Sequence, residues 1–232
     1  MIIERRIGTM LIIGALGVLI PYIILTITFD YPQILREDTG RILEDFHNGG
    51  FSLILTWWAF AICGFPLLIA YTMLGNLLED RLDFVRWATN IGIIGLIVQM
   101  IGLLRWTFVV PVLAKAYING DSMERASSMT IFQAMHQYAG VALGEHLGQL
   151  FTIIWTIAIA RAFNKLKLAP GWLNWLGITS AIIYLFGQTE LFATVIPSMP
   201  VISIAGFLGS TLWIVWLILL GVKLYNTRAL KR

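Results

Sequence analysis

Long apolar runs separated by short polar connections set the pattern of this chain. A helix that crosses a membrane needs about twenty mostly apolar residues. Six stretches reach that length: Ile7 to Phe29, Phe51 to Leu74, Trp87 to Val110, Met129 to Ala160, Trp172 to Ile196 and Val201 to Leu224. The fourth exceeds what a bilayer requires, which predicts a helix that tilts or projects. The pattern therefore predicts an all-α, polytopic membrane protein with six transmembrane helices forming a single domain over residues 1–232. The opening "MIIERR" resembles the start of a signal peptide. The apolar run behind it is too long for one, and no small-residue cleavage site follows, so it reads as a retained helix.

The polar connections carry their own signals. In "DTGRILEDFHNGG", Asp38 or Thr39 is a candidate N-cap, and Ile42, Leu43 and Phe46 share one face. Gly49-Gly50 would stop the helix. This predicts a short amphipathic helix in the first outer loop, lying on the membrane surface. In "NGDSMERASSM", Asn119-Gly120 offers a turn, and Asp121 with Glu124 forms a capping box. "PSMP" predicts a tight, proline-bounded turn.

Orientation follows from the distribution of Lys and Arg among the connections. Six spans place Arg5, Arg6, Arg81, Arg86, Arg161, Lys165, Lys167, Lys223, Arg228, Lys231 and Arg232 on one side. Arg36, Arg41, Lys115 and Arg125 fall on the other, and Arg105 within a span. The bias predicts that both termini are cytoplasmic, in a multi-pass protein of the cell (plasma) membrane.

Composition agrees with a chain whose solvent is lipid. Hydrophobic residues make up 58% and charged residues 12%, about half the charged share of soluble domains. The net charge of +3 is accounted for by orientation and is no nucleic-acid footprint, because no basic run lies on a soluble domain. Cys63 is the only cysteine. That excludes an internal disulfide, a CxxC redox pair and a thiolate zinc site within one chain.

Few polar groups lie at membrane depth, where each is expensive and turns toward the bundle interior. They are Gln99 and Arg105 on the third span, Gln133, His136, Gln137, Glu145, His146 and Gln149 on the fourth, and Gln188 and Glu190 on the fifth. At 100° per residue, Gln133, His136, Gln137, Gly140 and Gly144 form one stripe of the fourth helix. Tyr138, Glu145, Gln149 and Thr152 form a second, and His146 points elsewhere. A helix with two polar stripes belongs at the centre of a bundle. Gly140, Gly144 and Gly148 make a ridge of small residues that lets a neighbouring backbone approach closely. The third span is the best candidate for that neighbour.

The buried charges need partners. Arg105 and Glu190 sit at similar distances before Pro111 and Pro197, so they match in depth and predict a pair. Such a pair can serve only to fix helix register. Glu145 falls near the middle of its span, with Gln99, His136, His146 or cavity water as partners. Intramembrane ionisable residues are functional candidates by default, and satisfied hydrogen-bond networks are their structural counterpart.

Several chemistries are missing. "GEHLG" reverses the HExxH order and lacks the second histidine. No phosphate-binding glycine loop and no GxSxG elbow occurs. These absences lean away from an enzyme. His136 and His146 lie about 15 Å apart along one helix, too far to ligate one metal together. His47 and His136 could share a depth, which leaves a bis-histidine haem open, with Arg105 suited to a propionate. The alternative for His47 is a solvated histidine at a helix C-terminus.

"ILREDTGRILEDFHNGG", "TWWAF", "GLLRWTFVVPVLAKAY" and "FQAMHQYAGVALGEHLGQLFTIIW" together resemble a widespread bacterial family of integral-membrane proteins known as a domain of unknown function. Arg105, Trp106, Pro111, Gly144, Glu145, His146 and Gly148 match its pattern. The resemblance implies six spans and a bacterial membrane, and it implies no activity, substrate or cofactor. Three readings stay open. The protein binds or transports a small ligand, ion or proton in a polar cavity lined by Arg105, His136, Glu145, Glu190, Gln99, Gln133 and His146. Or it is an accessory subunit of a larger membrane assembly or a homo-oligomer. Or it is a haem-binding redox protein.

Overall fold

The computed structural model describes residues 2–227; Arg228, Lys231 and Arg232 of the basic set lie outside the described residues. The elements are helical, with no strand among the described residues. Helix α1 spans Ile2–Thr28, and a 3-10 helix follows at Gln33–Arg36. Helices α2 (Thr39–Ile62) and α3 (Phe65–Leu78) share the second span. Helices α4 (Phe84–Phe108) and α5 (Val110–Asn119) share the third. The fourth consists of α6 (Ser122–Met135), a π-helix (His136–Leu147) and α7 (Gly148–Lys165). Helices α8 (Gly171–Ala193) and α9 (Ser203–Asn226) complete the set. Six helices are long and apolar enough to cross a membrane. The fourth runs from Ser122 to Lys165, 44 residues, well beyond bilayer thickness as its sequence implied.

Local chemistry explains the boundaries. Pro66 and Pro111 each stand in the first turn of a restarting helix, where a missing N–H costs nothing. Asp38 caps α2, accepting from the Gly40 amide at 2.8 Å. Asp121 accepts from the amides of Met123 and Glu124 while Glu124 Oε2 accepts from the Asp121 amide, the reciprocal capping box expected from the sequence. Gly50 carries φ 55 and ψ −147, a region open only to glycine. It divides α2 into the predicted short amphipathic helix and the span proper.

Contacts divide the chain into two compact units. The first comprises residues 1–16, 64–97 and 146–232. Here α8 packs on α7, and on α9 through small residues, with Gly187 against Gly206 and Gly209 against the Tyr184 backbone. The Tyr71 and Trp155 rings stack at 3.5 Å, and Gly92 makes room for Trp155.

The second unit comprises residues 17–63 and 98–145. Its core is aromatic. Trp57 and Trp106 stack at 4.7 Å, and Phe29 meets Phe46, Trp57 and Trp106 edge-on. Such geometries suit the ring quadrupoles. The apolar face of the short amphipathic helix, Ile42, Leu43 and Phe46, is buried in this core. That face of the helix therefore packs on protein. A Gln133 Nε2 to Thr39 Oγ1 hydrogen bond of 3.2 Å ties its start to α6.

Candidate functional site

Polar side chains gather within the second unit around Arg105. This arginine is 6% exposed. Its Nη1 donates to the Gly102 carbonyl one turn earlier, and its guanidinium lies 5.2 Å from the Trp106 ring. The guanidinium occupies the space that a side chain at position 140 would fill. Gly140 is thus required by the arginine facing it, a more specific role than general helix approach. Arg105 Nε is buried and has no hydrogen-bond partner.

Glu145 also lies here. Its Oε2 accepts from Arg36 Nη2 at 2.9 Å, with side-chain exposures of 28% for the arginine and 17% for the glutamate. Oε1 is buried without a partner. Gln99 and the histidines were the partners expected from the sequence, but Arg36 takes the bond. Arg36 belongs to the 3-10 helix after α1, so Glu145 lies within one side chain of that connection.

His136 packs on Phe132, rings stacked at 5.3 Å, with Trp106 edge-on at 6.3 Å. Both ring nitrogens are buried without a hydrogen-bond partner, and the Leu35 carbonyl approaches without hydrogen-bond geometry. Tyr31 completes the group. Burial, with the Glu145 carboxylate nearby, pushes its phenol above the ordinary range, so it remains a protonated donor. Arg36, Arg105, His136 and Glu145 are close enough to act on one another electrostatically.

The fourth span brings this about through its π-helix. An i→i+5 ladder winds more slowly than the 3.6-residue helix. Over the seven residues from Tyr138 to Glu145 the register slips by about a third of a turn. Tyr138 is accordingly 65% exposed while Glu145 faces Arg36, and the stripe that grouped them on a regular wheel does not form. The glycines do meet the third span. A Cβ on Gly102 would lie 2.7 Å from Gly144 Cα, and one on Gly95 would lie 3.1 Å from the Gly148 carbonyl.

The remaining candidates divide between the units. Gln99 and Gln133 belong to the second, His146 and Glu190 to the first. Arg105 belongs to the second unit and Glu190 to the first. His146 Nδ1 lies 2.8 Å from Gln188 Oε1, Gln188 Nε2 donates to Gln149 Oε1 at 2.6 Å, and Phe192 meets the imidazole edge-on. With Gln188 so oriented, His146 Nδ1 is the donor. His47 is exposed on α2, whereas His136 sits among aromatic rings. No group of three His, Cys, Asp or Glu side chains suited to a metal occurs among the described residues.

Sequence reasoning missed Arg36 and Tyr31. The one available signal was charge: an intramembrane glutamate needs a cation, and the first connection holds Arg36 and Arg41.

No curated protein and no solved structure matches the chain. A family model described as Domain of unknown function (DUF4386) matches residues 7–221. Over nearly its whole length, then, this six-span chain belongs to the DUF4386 family.

Proposed function

We propose that the protein is a membrane-embedded binder of a small polar ligand, held by Arg36, Arg105, His136 and Glu145. One observation carries this reading. Arg105 Nε, both His136 nitrogens and Glu145 Oε1 are all buried without hydrogen-bond partners, and they belong to one mutually interacting group. Buried polar atoms are nearly always satisfied, and leaving one unpaired costs about 1–3 kcal/mol, more when charged. The network does not close these bonds among its own members. A ligand with complementary groups satisfies them instead. The setting, with aromatic walls and a few convergent polar groups, is that of a small-molecule site.

The test is thermal stabilisation of the purified protein in detergent. Small neutral, cationic and anionic compounds are offered at millimolar concentration. At least one class is expected to raise the melting temperature, with no shift in Arg105→Gln or His136→Leu. If no class stabilises the wild-type protein, the site binds no small ligand.

The orientation we propose follows the Lys and Arg bias, with the Arg36 connection away from the cytoplasm. Single cysteines placed near Asp45 and Asp121 in a Cys63→Ala background should react with an impermeant maleimide applied outside. A cysteine near Lys165 should not. Reaction at Lys165 from outside reverses the topology.

A further inference from the structure

We infer that the turn between α7 and α8 holds the headgroup of an anionic phospholipid, with Arg161, Lys165 and Lys167 as the cations that bind it. The inference is independent of the Arg105 cluster. It starts from charge. Between His146 and Thr189 the sequence has no Asp or Glu, and its only Lys and Arg are these three. All three are exposed. Arg161 and Lys165 stand four residues apart on one face of α7, and Lys165 Nζ lies 5.5 Å from the Phe84 ring at the start of α4. None of the three forms an ion pair among the described residues. On the connection between α3 and α4, Glu79 is taken by Arg86 at 3.3 Å, and Asp80 and Asp83 reach none of the three cations within ion-pair distance.

The backbone of the turn adds a second observation. The Leu168 amide donates to the Phe163 carbonyl and the Lys167 amide to the Asn164 carbonyl. These are the paired bonds of a helix end that continues through a left-handed residue. Lys167 is that residue, at φ 51. Glycine is the usual choice there, because a side chain makes the conformation costly. A lysine at such a position points to a use for its ammonium group. Lysine near a helix C-terminus also complements the dipole, but Lys165 in the last turn already supplies that without a left-handed backbone.

The surroundings select a lipid over a soluble anion. The turn joins two spans, so it lies at the membrane surface. Trp172 and Trp175, three residues apart in the first turn of α8, are both exposed, and tryptophan takes the level of the headgroups. Asn174 between them is buried and reaches Asn164 Oδ1 and the Ala169 carbonyl, each at 3.5 Å, which holds the turn against the end of α7. A solvated ion pair contributes little in water, so a free phosphate gains little here. A phospholipid is already concentrated at this depth by its acyl chains, and an anionic headgroup brings no cation of its own to compete with the three.

Native mass spectrometry of the full-length protein in detergent, titrated with dioleoylphosphatidylglycerol, dioleoylphosphatidylcholine or glycerol phosphate, tests this. Phosphatidylglycerol is expected to bind at least about tenfold more tightly than either of the others. Lys167→Gly should weaken that binding about fivefold, while the melting temperature in detergent holds or rises because the left-handed side chain is gone. Combining Arg161→Gln, Lys165→Gln and Lys167→Gln should erase the preference. Arg6→Gln, which removes an exposed arginine of α1, should leave it unchanged. Equal binding of the two lipids overturns the proposal. Glycerol phosphate binding as tightly as the lipid overturns it in favour of a soluble-anion site. Arg6→Gln weakening phosphatidylglycerol as much as Lys167→Gly overturns it in favour of overall charge. A Lys167→Gly protein that keeps its full affinity confines Lys167 to the helix end and overturns it as well.

Discussion

Gly144→Leu is expected to abolish folded protein. The reason lies in backbone, which cannot move aside as a side-chain tip can. A Cβ at 144 would already stand 3.2 Å from both Gly102 Cα and the Ala139 carbonyl, tighter than ordinary van der Waals contact. Three further carbons of leucine have to push α4 away from the π-helix, or break the ladder that places Glu145. Overpacking a core costs about 1–3 kcal/mol where side chains can adjust. With backbone on both sides the cost goes beyond that range, out of a total stability of about 5–15 kcal/mol. Gly206→Ala is the control, because a Cβ there meets nothing within 4 Å. Size-exclusion profiles and melting curves of the two variants provide the comparison. A Gly144→Leu protein that elutes and melts like Gly206→Ala would show that the glycine contact is not needed.

The second large effect concerns the ion pair. Arg36→Ala leaves Glu145 without its bond at Oε2 while Oε1 is already unpartnered. Removing one partner of a buried pair costs about 3–5 kcal/mol. The partial exposure of Arg36 places this loss toward the lower end. Glu145→Gln in the same chain removes the stranded charge, so the double variant should be more stable than Arg36→Ala alone. Unfolding free energies of the four proteins in detergent give the coupling directly. Additivity within about 0.5 kcal/mol, the behaviour of independent sites, would deny the pair.

The contrast between these two sites explains what the sequence could disclose. Spans and caps were legible because their causes are local. Twenty apolar residues need no partner to be recognised, and Asp121 meets Glu124 within a single turn. The glycine ridge was legible for the same reason, since its spacing lies within one helix and the nearest small residues of the third span are few. Arg36 was not legible. In a count of loop charges it is one more arginine setting orientation. Only the 3-10 turn at Gln33–Arg36 swings it onto a glutamate 109 residues away. The π-helix left no mark either. Its residues are ordinary helix formers and glycines, and a wheel drawn at 100° per residue gave tidy stripes. The ladder chosen by tertiary packing then moved Tyr138 to the outside. The polar stripe does not form because of this ladder, whereas the bond of Glu145 follows from the 3-10 turn that carries Arg36.

That widened ladder also bears on how the chain tolerates changes of length. A π turn is the shape an α-helix takes when it absorbs an extra residue without turning the segments on either side. Between His136 and Leu147 the fourth span therefore holds a reserve of slack. Losing one residue there can be met by tightening the ladder, with α6 and α7 keeping the faces they present. The same loss inside α4 would rotate everything beyond it by about 100° and carry Arg105 away from Gly140. Within this architecture, insertions and deletions are absorbed beside the ion cluster more readily than in the regular helix that packs against it.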